Sequence, residues 1–170
     1  MARIWTVTER ILQAVMVLFL SAMASITAID VAGRYLFGIP LAGGYEIVQY
    51  LMALVVFAAL PLATRAEAHL TIDLFANQVP QRLRAPHRAI VLGFSALALA
   101  LIAWRMTAQA GVMTRSEAVS GSLGFPLAPI AYAMAALGWF SLLICLTLLV
   151  LVVLGKDTGP TENAHLEEIE

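Results

Sequence analysis

Four apolar stretches, each long enough to cross a lipid bilayer, constrain this chain more than any other feature of its sequence. They cover residues 11–29, 45–63, 89–110 and 127–154. A transmembrane helix needs about 20 apolar residues to cross a hydrocarbon core of about 30 Å, and a lipid-exposed backbone must satisfy its own hydrogen bonds. Composition agrees, because 61% of the 170 residues are hydrophobic and only 12% are charged. The sequence therefore predicts an all-α integral membrane protein with four transmembrane helices in a single membrane domain.

The distribution of Lys and Arg predicts the orientation of these helices. With the N-terminus inside, the cytoplasmic side receives Arg3, Arg10, Arg65, Arg82, Arg84, Arg88 and Lys156, and the opposite side receives Arg34, Arg105 and Arg115. Cytoplasmic loops carry the excess of basic residues. Both termini are therefore predicted to be cytoplasmic, and the C-terminal residues 155–170 form an acidic tail.

The first apolar stretch has an alternative interpretation. Arg3 and Arg10, followed by an apolar stretch and by Ala-Met-Ala at residues 22–24, resemble a secretory signal with its cleavage site. The apolar stretch continues past this site to Ile29, which favours a full transmembrane span.

Residues 70–86 predict a further helix that lies on the membrane surface between spans two and three. Apolar residues recur there at helical spacing, at Ile72, Phe75, Ala76, Val79 and Leu83. Polar and basic residues occupy most of the other positions, and two prolines interrupt the pattern. We expect a cytoplasmic interfacial amphipathic helix with its basic residues toward phospholipid headgroups; a simple polar connection is the alternative.

Charged residues cluster where the first span ends and the second begins. Asp30 and Arg34 are four residues apart, so they share a helix face and can pair. Residues 37–44, FGIPLAGG, contain four turn-forming residues. Glu46 follows in the first turn of the second span, where a carboxylate favours a helix N-terminus. The stretch predicts a compact corner that either makes a specific polar contact or is solvated.

This stretch resembles the small membrane subunit of the TRAP (tripartite ATP-independent periplasmic) transporters. The family closes its first span with an Asp and a Gly-Arg-Tyr, continues with Phe and Pro-Leu-x-Gly-x-x-Glu, and ends its second span with Arg and His-x-x-x-Asp. The matching residues are Asp30, Gly33, Arg34, Tyr35, Phe37, Pro40, Leu41, Gly43, Glu46, Arg65, His69 and Asp73. The resemblance is dense over residues 30–73 and only architectural after that.

The resemblance implies a scaffold subunit of the bacterial inner membrane that binds a large membrane subunit with an elevator mechanism. In such systems a periplasmic substrate-binding protein delivers the solute, usually a carboxylate, and sodium supplies the energy. The substrate and sodium sites belong to the large subunit, so we expect no catalytic, metal or cofactor site here. The candidate contacts with that partner or with membrane phospholipids are Asp30, Arg34, Tyr35, Glu46, Arg65, His69 and Asp73.

Other chemistry finds little support in the sequence. The three histidines lie outside the spans, and the net charge of −1 offers no basic surface to nucleic acid. Ser116 and Glu117 have no convergent histidine for nucleophilic catalysis, and Gly121 and Gly124 predict a flexible loop. Cys145 is interpreted as a packing residue of the core or of the lipid-facing surface.

Two functional alternatives remain open. An independent small four-span transporter acting as a homo-oligomer would need an acidic residue well inside a span, and Glu46 lies too near the end of its own. A membrane enzyme would need the catalytic residues that the sequence lacks.

Overall fold

The predicted all-α membrane architecture is confirmed by the structure, a computed structural model that describes residues 2–66 and 84–154. Four helices follow one another along the chain: α1 (Ala2–Phe37), α2 (Gly44–Arg65), α3 (Arg84–Arg115) and α4 (Ala128–Val153). All four are long and apolar enough to cross a membrane. We call the end of the bundle that carries the 38–43 turn and the 116–127 loop the outer end, and the opposite end the inner end.

The helices extend beyond the apolar stretches that predict them. α1 has 36 residues, a length of about 54 Å at 1.5 Å per residue, whereas the predicted span 11–29 has the length of the hydrocarbon core alone. Hydropathy locates the lipid-buried part of a helix, while the helix itself continues wherever no residue stops it. α1 continues until Gly38, whose φ of +69° is the left-handed conformation that ends helices.

The predicted interfacial helix is affected by the observed start of α3. Residues 84–86, assigned to the interfacial helix on sequence grounds, belong to the first turn of α3 instead. Pro86 fits there because the first turn of a helix has no use for its backbone N–H groups. The remainder of the predicted helix, residues 70–83 with Asp73, lies outside the described residues. His69 and the acidic tail lie outside them as well.

The four helices pack in a spatial order that differs from their order in the chain. α1 packs on α2, α2 packs on α4, and α4 packs on α3, the last pair making the most extensive contact. Among the helices of residues 2–66 and 84–154, α4 therefore lies between α2 and α3.

Small side chains bring α3 and α4 close together. The buried residues of the pair include Ala96, Ala103 and Ala110 on α3 and Ala131, Ala135, Gly138, Ser141 and Cys145 on α4. A Cβ atom built on Gly138 would lie 3.3 Å from the Cβ atom of Ala103. Small residues at such spacing allow membrane helices to approach closely and gain van der Waals contact.

Two polar contacts also join this helix pair. Trp139 Nε1 donates a hydrogen bond to Thr107 Oγ1 at 3.1 Å, and Cys145 Sγ lies 3.5 Å from the carbonyl oxygen of Leu92. Cys145 is fully buried, so of its two predicted positions the core is the observed one.

α1 is the least enclosed helix. Partly buried residues recur along it every seven positions, at Trp5, Leu12, Phe19, Ile26 and Gly33. This spacing is typical of a helix that packs along one face against a neighbouring helix. None of its most apolar 18-residue window is buried within the chain. Most of the α1 surface is therefore available to lipid or to another protein.

Candidate functional site

The turn between α1 and α2 is closed by backbone contacts that require glycine. Ile39 N donates a hydrogen bond to Gly33 O at 3.1 Å, so the chain folds back along the end of α1. A Cβ atom on Gly33 would lie 2.7 Å from Ile39 O, a distance that side-chain-bearing residues do not reach. Gly43 ends the turn with φ of +75°, a conformation that glycine adopts without steric cost.

Asp30 uses both carboxylate oxygens in the corner, one within α1 and one to the turn. Its Oδ2 atom accepts a hydrogen bond from Arg34 Nη2 at 2.7 Å, which confirms the predicted pairing. Its Oδ1 atom accepts a second one from the backbone N–H of Leu41 at 2.8 Å. Solvent-exposed ion pairs contribute about 0–1 kcal/mol, whereas hydrogen bonds to charged groups contribute about 1.5–3 kcal/mol. The bond to Leu41 shapes the corner, because it joins the turn to α1 across eleven residues, whereas the ion pair joins two residues of the same helix.

Glu46 connects the corner to a distant part of the chain. Its Oε1 atom accepts a hydrogen bond from the backbone N–H of Ser122 at 3.0 Å, across 76 residues of sequence. Glu46 is half-buried in the first turn of α2, where the positive end of the helix dipole also favours a carboxylate. Sequence reasoning placed Glu46 at a helix N-terminus but did not identify its partner.

The 116–127 loop that supplies this partner is folded on itself, in contrast to the flexible connection that its glycines and serines predict. α3 ends at Arg115, Glu117 follows as a non-glycine residue in the left-handed region with φ of 48°, and Ala118 N donates to Met113 O at 3.0 Å. Ser120 then bridges the loop, since its N–H donates to Phe125 O at 2.8 Å and its Oγ accepts from Phe125 N at 3.1 Å.

The loop also packs directly on the turn. A Cβ atom on Gly43 would approach the Leu123 side chain to between 2.5 and 2.9 Å, so the two segments are in contact without an intervening layer. We call residues 30–46 together with 116–127 the outer corner. The contacts between Gly43 and Leu123 and between Glu46 and Ser122 make it one continuous surface built from two halves of the chain.

The structure divides the sequence-predicted contact residues between the two ends of the bundle. Asp30, Arg34, Tyr35 and Glu46 lie together in the outer corner, and Tyr35 is 82% exposed. Arg65 lies at the opposite end of α2. The two other predicted residues, in the segment after Arg65, fall outside the described part of the chain.

At the inner end, Arg65 takes part in an aromatic contact that sequence reasoning missed. Its guanidinium carbon lies 4.3 Å from the centroid of the Trp5 ring, within the range of a cation–π interaction. Trp5 also stacks on Phe140 of α4, with ring centroids 6.5 Å apart and an interplanar angle of 20°. Together these rings join α1, α2 and α4, and no local sequence signal relates positions so far apart in the chain.

The outer end also contains an open apolar groove of about 350 Å³ between the end of α3 and the start of α4. Its lining includes Met113, Thr114, Val119, Pro126 and Pro129, with Glu117 as the ionisable residue. Within residues 2–66 and 84–154, no three His, Cys, Asp or Glu side chains are grouped so that they could hold a metal ion.

Comparison with known proteins agrees with the architecture. Residues 23–155 match the family model described as tripartite ATP-independent periplasmic transporters, DctQ component. This range includes the last 15 residues of α1, the whole outer corner and all of α2, α3 and α4. A comparison with curated proteins finds no match.

Proposed function

Because the chain belongs to the DctQ family, the small membrane component of TRAP transporters, we propose that it acts as a scaffold that docks to the large membrane subunit and braces it. The observation that carries this proposal is the outer corner, where Asp30 closes the α1–α2 turn onto α1 and Glu46 joins the start of α2 to the α3–α4 loop. A surface whose segments are joined by hydrogen bonds is suited to remain fixed while a neighbouring protein moves against it.

The partners and the energy source follow from the same proposal. The large subunit carries the elevator motion, a periplasmic protein delivers a carboxylate-type solute, and sodium drives uptake. Charged side chains in the described helices lie toward the helix ends or on exposed surface, as in Asp30, Glu46 and Arg65. A transport pathway normally shows ionisable groups facing the interior of the bundle, so the pathway is proposed to lie in the large subunit.

The chain is proposed to be a multi-pass protein of the inner membrane. Its outer end faces the periplasm, and both termini lie in the cytoplasm. This orientation rests on the bias of Lys and Arg toward the inner end. It is tested by cysteine labelling of the exposed residue His87 at the start of α3. A His87→Cys variant should react only with reagent added from the cytoplasmic side, and labelling from the periplasm would reverse the topology.

Docking is tested by co-expressing the tagged chain with the large subunit and measuring both recovery of the complex and solute uptake in proteoliposomes. Arg34→Ala removes an exposed guanidinium whose ion pair contributes little to stability, so we expect lower recovery or slower uptake at unchanged membrane insertion. Arg115→Ala is the matched control, since Arg115 is another exposed arginine at the outer end.

The two possible failures of this experiment differ in meaning. Unchanged recovery and uptake in Arg34→Ala would reduce Arg34 to a solvated helix end and leave the scaffold proposal intact. Failure of the unmodified chain to recover any large membrane protein would contradict the scaffold proposal itself. Solute uptake by the isolated chain would instead favour an independent transporter.

A further inference from the structure

The outer end of α1 extends past the charged residues that mark the limits of the bilayer core. Arg10 and Asp30 are 20 residues apart in α1, a distance of about 30 Å along a helix, which equals the thickness of the hydrocarbon core. Glu46 and Arg65 bracket α2 in the same way with 19 residues, about 28 Å. The hydrocarbon core therefore ends near Asp30 at the outer end.

Residues 34–40, which we call the α1 tip, lie beyond this limit. Phe37 is seven residues past Asp30, a rise of about 10 Å along the helix. The chain then descends, because Ile39 bonds back to Gly33 and Leu41 bonds back to Asp30. Each headgroup layer of a bilayer is about 5–8 Å thick, so Arg34, about 6 Å above Asp30, lies within that layer and Phe37 reaches its outer edge.

The side chains of the tip are apolar and exposed. Tyr35, Leu36, Phe37 and Ile39 have exposed fractions of 82%, 75%, 75% and 71%. Exposed apolar patches mark surfaces that contact a partner or a membrane. Consecutive helical residues point about 100° apart, so Tyr35, Leu36 and Phe37 spread apolar surface over an arc of about 200° of the tip.

So wide an exposed apolar arc favours lipid over a protein partner as the occupant. A docked protein covers one side of a helix and would leave the other apolar side chains in water. A lipid layer surrounds the helix on all sides, and aromatic residues such as Tyr35 and Tyr45 are typical of that layer.

The basic residue at the base of the tip fits the same environment. The Arg34 side chain is 60% exposed, and its Nη2 atom contacts Asp30. A guanidinium has five N–H donors, and long basic side chains extend along apolar surface toward the headgroups. Arg34 can thus keep its ion pair and still donate hydrogen bonds to a phosphate oxygen.

We propose that the α1 tip is an anchor held in the phospholipid headgroup layer at the outer end, with Arg34 bonded to lipid phosphate. This inference rests on the proposed scaffold function, because a subunit that braces a moving partner must itself be fixed in the bilayer. The lipid contact itself is a property of this chain alone and is measured without the large subunit.

The experiment places a nitroxide spin label at the tip of the full chain in phosphatidylethanolamine–phosphatidylglycerol vesicles. Leu36→Cys is labelled in a Cys145→Ala background, and its depth is measured from the accessibility to oxygen and to a water-soluble nickel chelate. The scale is calibrated with spin-labelled lipids. We expect the Leu36 label within about 5 Å of the phosphates, inside the headgroup layer. A label at Leu18, 64% exposed near the middle of the α1 span, is the matched control and should be deepest.

A polar tip tests the cause of this depth. In a Tyr35→Ser/Leu36→Ser/Phe37→Ser variant, a label at Ile39 should move from the headgroup layer into water, while the Leu18 label keeps its depth. A Leu36 label fully accessible to the nickel chelate in vesicles would overturn the proposal. So would protection from the chelate that arises only when the large subunit is added, because the occupant would then be protein. Failure of the unmodified chain to recover the large subunit, with its tip at the expected depth, would contradict the scaffold role and leave the anchor standing.

Discussion

The hydrogen bond between Glu46 and the Ser122 amide makes the outer corner testable in quantitative terms. Glu46→Ala removes a charged acceptor 3.0 Å from the amide nitrogen. Hydrogen bonds to charged groups contribute about 1.5–3 kcal/mol, and because this bond is solvent-exposed we expect the lower value, about 1.5 kcal/mol. At about 2–4 °C per kcal/mol for a chain of this size, the melting temperature should fall by about 3–6 °C.

Hydrogen exchange measures the same bond locally. Each 1.4 kcal/mol corresponds to a factor of about ten, so the Ser122 amide should exchange about tenfold faster in Glu46→Ala. Glu46→Gln is the matched variant, since it keeps an acceptor oxygen without the charge and retains a neutral bond worth about 0.5–1.5 kcal/mol. It should exchange at an intermediate rate. Identical Ser122 exchange and melting temperatures in the three proteins would refute the idea that this bond joins the two halves of the corner.

Three further substitutions probe the remaining contacts. Gly138→Val should lower the melting temperature by about 2–12 °C through overpacking worth about 1–3 kcal/mol. Gly93→Ala, where a Cβ meets nothing within 4 Å, should not lower it, because alanine favours a helix more than glycine does; a fall of equal size in both variants would contradict close α3–α4 packing. Arg65→Ala should cost about 0.5–1 kcal/mol of cation–π energy with Trp5 and shift the fluorescence of that ring; an unchanged spectrum would contradict the contact. Glu117→Gly should raise the melting temperature by about 2–4 °C, since it relieves a left-handed conformation that costs about 1 kcal/mol; a lower melting temperature would show that the carboxylate stabilises the loop.

Features that depend on neighbouring residues follow from the sequence. The turn at residues 38–43 is predicted by its glycines and proline, and the pairing of Asp30 with Arg34 is predicted by their spacing of four. Helix ends are predicted less well, because α1 and α3 continue past the apolar stretches that hydropathy detects.

The candidate site is predicted in part. Asp30, Arg34, Tyr35 and Glu46 are identified from sequence and lie together in the outer corner. However, Asp30 and Glu46 bond to the backbone N–H groups of Leu41 and Ser122, respectively. Every residue carries the same backbone amide, so no side-chain pattern identifies which amide a carboxylate will bind. Arg65 is a candidate contact because it matches the family pattern, and it lies at the inner end of the bundle, away from the outer corner.

By itself, the sequence determined that this chain forms four membrane-crossing helices with a tight, charged turn between the first two, because lipid solvation and helix geometry act over stretches of about 20 residues. Only the tertiary structure decided that α4 lies between α2 and α3 and that Glu46 meets Ser122. The order of helices in a bundle depends on which small-residue surfaces fit together, and that fit is a property of pairs of helices far apart in the chain.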